Sequence, residues 1–162
     1  MQTLEPESRM QAATGGWIQR AEWIVGLSIT LTLVVAHIIF WLHAGALWRD
    51  EINTLNVATQ PTLGQFWAYL RWDSCPPLWP TLLRLWAGSG SGSPDLRLRV
   101  LGMIVGLSVL GALWENARQT AKAVPLCSLV ILAASPTMIL YGDSLRAYGL
   151  GTALMVVTIG MI

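Results

Sequence analysis

Residues 23–43 contain no Asp, Glu, Lys or Arg and lie in the longest uncharged stretch of the chain. An α-helix needs about 20 predominantly apolar residues to cross the hydrocarbon core of a bilayer. Three later stretches are also predominantly apolar, at residues 98–114, 123–140 and 145–162. The sequence therefore predicts an all-α integral membrane protein with about four transmembrane helices.

The first apolar stretch could instead belong to a secretory signal peptide, because Ala44, Gly45 and Ala46 resemble a small-residue cleavage site. The apolar region of a signal peptide is only about 7–15 residues long, and here the preceding segment is long and mixed in charge. We therefore expect an uncleaved signal anchor. A loose cytoplasmic tail would cover residues 1–21 and the transmembrane domain residues 22–162.

The stretch Pro76–Gly88 is apolar but too short to be a convincing span. It also contains Pro80 and Arg84, and a charge in the middle of a bilayer is costly. We predict an amphipathic helix that lies in the membrane interface, with Trp79 and Trp86 at headgroup depth.

Short interfacial helices are also expected between Glu51 and Arg71, so that residues 44–97 form one external loop. Under this topology three acidic groups emerge on one face of the membrane. They are Asp50 with Glu51, Asp73, and Asp143 in the segment Tyr141–Tyr148. We predict that this face is the extracytoplasmic side of the plasma (inner) membrane.

Basic residues give partial support for that direction. Those in the tail and in the short loop after the second span would face the cytoplasm, as the positive-inside rule requires: Arg9, Arg20, Arg118 and Lys122. Other arginines would face outward, which weakens the assignment unless they bind an anion: Arg49, Arg71, Arg97 and Arg99.

The composition excludes several other classes of protein. A net charge of +1 without a basic stripe argues against nucleic acid as a partner. Cys75 lies in a polar loop and Cys127 in an apolar run, so a disulfide is not expected. No spacing of Cys and His indicates a metal site, although clustered carboxylates could hold a divalent cation weakly.

Four motifs stand in order along the chain: Trp-Arg-Asp-Glu at 48–51, Asp-Ser-Cys-Pro-Pro-Leu-Trp at 73–79, Arg-Leu-Arg-Val-Leu-Gly at 97–102, and Ser-Pro at 135–136 followed by Tyr-Gly-Asp-Ser-Leu-Arg-Ala-Tyr at 141–148. Together they resemble the N-terminal part of GT-C glycosyltransferases, nearest to the family 39 branch of protein O-mannosyltransferases and aminoarabinose transferases. Two positions depart from the family pattern: Cys75, where His is common, and Ser144, where Glu is common.

The resemblance implies an inverting transferase that moves a sugar from a polyprenyl-phosphate donor to an extracytoplasmic glycan, lipid or protein. Asp50 matches the proposed catalytic base, which would deprotonate the acceptor hydroxyl, and Glu51 its supporting neighbour. Arg146 would bind the departing phosphate. The weaker candidates for binding the substrate or lipid phosphate are Asp73, Asp143, Tyr148, Arg84 and Arg71. No cofactor is implied.

Structural alternatives exist for most of these residues. A solvated loop position would explain Asp50, and helix capping ahead of the Pro-Pro pair would explain Asp73. Snorkelling to headgroups would explain Arg71 and Arg84, and interfacial anchoring would explain Tyr148.

Two features inside the spans are expected to serve packing. His37 is interpreted as a hydrogen-bonded packing residue rather than a proton carrier. Gly102 and Gly106 form a GxxxG pattern, which allows another helix to approach closely.

Two other function classes remain open. A transporter subunit would place charges or broken helices near the middle of the bilayer, whereas here the charges cluster at the ends of the spans. A non-catalytic membrane protein would leave the order of the motifs unexplained. Because the chain stops inside an apolar helix, we expect an N-terminal fragment that is inactive alone.

Overall fold

The computed structural model describes residues 6–73, 75–88, 94–120 and 123–161, and these ranges contain helices but no β-strand. The helices are α1 (Pro6–His43), α2 (Arg49–Ala58), α3 (Leu63–Leu70), α4 (Leu78–Ala87), α5 (Pro94–Thr120), α6 (Leu126–Ala133), α7 (Pro136–Gly142) and α8 (Tyr148–Gly160). The prediction of an all-helical fold is confirmed for the described residues.

Two segments are long and apolar enough to cross a membrane, Gly16–His43 of α1 and Asp95–Thr120 of α5. They contain the predicted spans 23–43 and 98–114. The prediction of a loose tail over residues 6–21 was wrong, because α1 already begins at Pro6. Proline is well suited to the first helical position, and the following Met-Gln-Ala-Ala sequence favours a helix. Residues 1–5 lie outside the described residues.

The stretch 123–140, predicted as one span, forms two helices, so the prediction of a continuous helix was wrong. The break falls at Ser135, because Pro136 lacks an N–H donor and restricts the residue before it. α7 then ends at Gly142. α8 begins at Tyr148, three residues later than predicted. Lys122 lies outside the described residues.

The long helices alternate in direction. Trp23 of α1 stacks on Trp114 of α5 with 5.5 Å between ring centroids, whereas His37, near the other end of α1, lies beside Gly106 of α5. α1 and α5 are therefore antiparallel. α8 runs parallel to α5, since Gly149 at its start lies against Val105 and the side chain of Asn116 donates to the carbonyl of Val156.

Residues 44–97, predicted as one external loop, carry α2, α3 and α4, which confirms that short helices form there. α4 packs into the interior of the protein. Its Trp79 and Leu83 are buried in a core with Leu98 of α5 and Leu145 of the α7–α8 turn. Trp79 is enclosed by protein rather than displayed on a surface, with 1% of the residue exposed. Its indole N–H donates to the carbonyl oxygen of Leu145 at 3.0 Å.

Candidate functional site

A cavity of about 410 Å³ lies where α1 ends and α2 begins, against α5 and the turn between α7 and α8. This volume is within the roughly 300–1,000 Å³ typical of small-molecule sites. The cavity brings together distant parts of the chain that carry predicted site residues: Asp50, Glu51, Asp143, Arg146 and Tyr148 all line it. Asp73, Arg84 and Arg71 do not.

Asp50 presents the available carboxylate of the cavity. It lies in the first turn of α2, where the positive end of the helix dipole favours an acidic side chain, and it is exposed. Its side chain makes no hydrogen bond or ion pair with the other described residues. Asp50 can therefore accept a proton or a hydrogen bond from a bound molecule.

Glu51 is buried, and both of its carboxylate oxygens are occupied. One oxygen accepts the backbone N–H of Trp48 at 2.8 Å, as a Glu at the third helical position often does at the start of a helix. The other accepts the backbone N–H of Leu145 at 2.8 Å. Glu51 thus joins α2 to the α7–α8 turn, and the geometry gives it a positioning role rather than that of a second base.

Arg146 reaches the cavity from the α7–α8 turn. Its guanidinium donates to the carbonyl oxygen of Asp50 and to the hydroxyl of Thr54, both at 3.4 Å, and lies 5.7 Å from the centre of the Tyr148 ring. A guanidinium has five N–H donors, so these two long contacts leave capacity for an anion. Tyr141 packs edge-on against Tyr148 at 6.0 Å between centroids.

Arg99 is a second cation of the cavity, and sequence reasoning assigned it no site. It lies on α5, lines the cavity and donates to the backbone carbonyl of Gly45. The sequence feature that points to Arg99 is its predicted position on the outer side of the membrane, where an arginine is unusual unless it binds an anion. Arg99 and Arg146 give the cavity two side chains suited to a phosphate group.

Asp143 faces the cavity but pairs with His37 of α1. The Nδ1 atom of His37 lies 2.7 and 2.9 Å from the two carboxylate oxygens, and the two side chains are 3% and 4% exposed. Burial raises the pKa of Asp143, and the hydrogen bond from His37 offsets part of this increase. The prediction that His37 is a buried, hydrogen-bonded residue is confirmed.

Asp73 lies outside the cavity and does not cap α4, which begins at Leu78. One of its carboxylate oxygens accepts the backbone N–H of Cys75 at 3.1 Å, so it stabilises the loop before α4. Burial raises the pKa of the Cys75 thiol, Asp73 raises it further, and the charge of Arg146 lowers it. This loop therefore lies close to Arg146.

Arg84 and Arg71 do not support a role at the cavity. Arg84 donates to the carbonyl oxygens of Ala58 and Gln60 at 2.8 and 2.7 Å, and so satisfies the C-terminal end of α2. It also lies over the Phe66 ring of α3 at 5.4 Å. Arg71 ends α3 and is exposed.

Among the described residues, no group of three His, Cys, Asp or Glu side chains is arranged to hold a metal ion. Comparison of the chain with protein-family models, curated proteins and solved structures finds no match. Function is therefore inferred from the cavity and from the motifs that supply its residues.

Proposed function

We propose that the chain belongs to the catalytic unit of a membrane glycosyltransferase of the GT-C type, which moves a sugar from a polyprenyl-phosphate donor to an acceptor outside the cytoplasm. One observation carries the proposal. The cavity combines the available carboxylate of Asp50 with two arginines, Arg99 and Arg146, on different helices and turns. Transfer from a phosphate leaving group needs this combination of a base and cations.

The proposal places the long helices in the plasma membrane. α1 exposes a stripe of large apolar side chains to its surroundings, which is unusual for a surface in contact with water: Leu27, Leu31, Val35, Ile38 and Leu42. With α1 and α5 as two spans, the α6–α7 pair and α8 would provide two more crossings. The cavity would then open at the extracytoplasmic face.

In the proposed reaction Asp50 takes the proton of the acceptor hydroxyl as the acceptor oxygen bonds to the anomeric carbon. The bond from that carbon to the phosphate oxygen breaks with inversion, and the electron pair leaves with the polyprenyl phosphate. Arg99 and Arg146 stabilise the added negative charge of that phosphate. Glu51 and Asp143 act indirectly, because their carboxylates hold protein groups.

The test is sugar transfer by membranes from cells that express the complete gene encoding this chain. A panel of radiolabelled polyprenyl-phosphate sugars serves as donors, and product formation is measured with endogenous acceptors. Asp50→Asn is expected to lower transfer at least about 10²-fold, because a positioned base contributes roughly 10²–10⁴-fold.

The matched control is Asp95→Asn, which removes an exposed carboxylate at the start of α5. We expect this variant to transfer at the wild-type rate. If Asp50→Asn transfers normally, Asp50 is not the base. If the wild-type protein transfers no sugar from any donor of the panel, the proposed function is wrong.

A further inference from the structure

His37 is a buried polar side chain to which the proposed reaction assigns no step. Its side chain is 3% exposed, lies well inside α1 and contacts a residue that is 106 positions away in the sequence, Asp143. When Asp143 is ionised its carboxylate can only accept hydrogen bonds, and Nδ1 of His37 is then the donor to its oxygens. Burying either polar side chain in apolar surroundings is costly unless it is hydrogen-bonded, so each of the two needs the other as its partner.

The two glycines of α5 form the other side of this contact. A methyl group at Gly106 would lie 1.8 Å from a carboxylate oxygen of Asp143 and 2.9 Å from the His37 ring. One at Gly102 would lie 2.1 Å from the backbone carbonyl oxygen of Asp143. The GxxxG surface therefore receives Asp143 itself, as well as lying beside α8, and we call this surface the glycine seat.

The glycine seat matters because the residues after Asp143 form the cavity wall. The chain runs from Asp143 in the seat to Leu145, which Glu51 and Trp79 hold, and then to Arg146 and Tyr148. Glu51 and Trp79 come from the external loop. The bond from His37 is the polar contact that joins this turn to α1.

We infer that His37 is a positioning residue: by donating from Nδ1 it keeps Asp143 in the glycine seat, and this fixes the turn that presents Arg146 and Tyr148 to the cavity. The expected effect on sugar transfer rests on the proposed function, whereas the positioning of the turn does not.

Two substitutions separate this role from simple packing. In His37→Asn the side-chain amide nitrogen is the same number of bonds from the backbone as Nδ1, so it can still donate to Asp143. His37→Leu fills the space more completely with apolar atoms but donates nothing. A packing role predicts that Leu is tolerated better than Asn, and a positioning role predicts the reverse order.

The first measurement is kcat/KM for sugar transfer with His43 unchanged. We expect His37→Leu to lose on the order of 10²-fold, the cost of a misplacement of about 1 Å at an active site. His37→Asn should retain most of the wild-type value. A His37→Leu variant at least as active as His37→Asn overturns the inference.

The second measurement needs no activity. Residues 1–162 contain two histidines, so in ¹⁵N-histidine-labelled protein in nanodiscs the His37 signal is the one that remains in a His43→Gln background and disappears when His37→Asn is added. We expect a fixed tautomer with Nδ1 protonated, which is lost in Asp143→Ala. An unchanged His37 signal in Asp143→Ala overturns the inference. Intact pairing in a wild-type protein that transfers no sugar supports the positioning and overturns only the proposed function.

Discussion

Asp50 and Glu51 are adjacent, yet their carboxylates have different surroundings because successive residues of a helix do not face the same way. Asp50 lines the cavity and its side chain makes no hydrogen bond or ion pair with the other described residues, whereas Glu51 is buried and accepts two backbone N–H groups. One residue of this acidic pair is therefore available to a bound molecule, and the other holds the backbone in place.

Substitution of Glu51 tests this division. Glu51→Gln leaves a side chain whose oxygen can satisfy only one of the N–H groups of Trp48 and Leu145, while its NH₂ group faces the other. A buried donor without a partner costs about 1–3 kcal/mol, so we expect the free energy of unfolding to fall by this amount in an SDS titration. Asp50→Asn, the matched exposed change, should shift it by no more than about 0.5 kcal/mol. Equal effects of the two substitutions would contradict the assignment.

The residues that could be predicted individually are those whose chemistry shows in a short motif. Asp50 follows an apolar span and Arg146 stands in a polar segment, so both were expected at the membrane face. The pairing of His37 with Asp143 could not be predicted, because it depends on how close α1 and the α7–α8 turn come to α5. For the same reason Arg84, which satisfies the end of α2, looked like an anion ligand in the sequence.

At the scale of elements, α5 is the helix that the rest of the structure is built around. Its first half carries the glycine seat, and its second half donates from Trp114 to Thr30 of α1 and from Asn116 to Val156 of α8. Hydrogen bonds of this kind between apolar helices hold them in register.

Alanine substitutions along α5 test the glycine seat. Gly102→Ala must displace the backbone carbonyl of Asp143, and Gly106→Ala must displace its carboxylate from His37. We expect each to cost about 1–3 kcal/mol of unfolding free energy, as is usual for overpacking. Gly111→Ala is the control, because nothing lies within 4 Å of its added methyl group. It should be neutral or stabilising by up to about 1 kcal/mol, since alanine favours a helix. Destabilisation of all three variants alike would argue against a seat.

The short helices between α1 and α5 could be predicted from their apolar spacing and boundaries. α3 begins after Thr62, whose hydroxyl accepts from the backbone of Gln65 in a capping box. The division of residues 123–140 was also readable in principle, because Pro136 follows Ser135 within the apolar stretch. Hydrophobicity alone predicts one continuous helix over residues 123–140, since α6 and α7 are both strongly apolar.

At the scale of the whole molecule, the motifs that contain Asp50 and Arg146 lie at one end. This follows from the alternating directions of α1, α5, the α6–α7 pair and α8. The opposite end carries Trp23, Trp114 and the ion pair of Glu115 with Arg118. The sequence predicts this sorting, because helices that alternate in direction bring every second connection to the same end. The cavity itself could not be predicted, since its volume depends on side-chain packing among segments far apart in the chain.

Labelling from one side of the membrane tests this arrangement. In a background without cysteine, single cysteines replace exposed residues at the cavity end, Asn53 and Tyr141, and at the opposite end, Gln119. We expect an impermeant maleimide added to intact cells to label the first two, and to label position 119 only after permeabilisation. Labelling of positions 53 and 119 from the same side would contradict the topology.

Leu145 is held through both of its backbone polar groups, by Glu51 on one side and by Trp79 on the other. During synthesis Glu51 and Trp79 leave the ribosome long before Leu145. Until residue 145 has been made, the carboxylate of Glu51 and the indole N–H of Trp79 therefore lack their partner in the α7–α8 turn. The wall of the cavity is therefore completed late in synthesis, and a chain interrupted before residue 145 leaves those two polar groups without their partner.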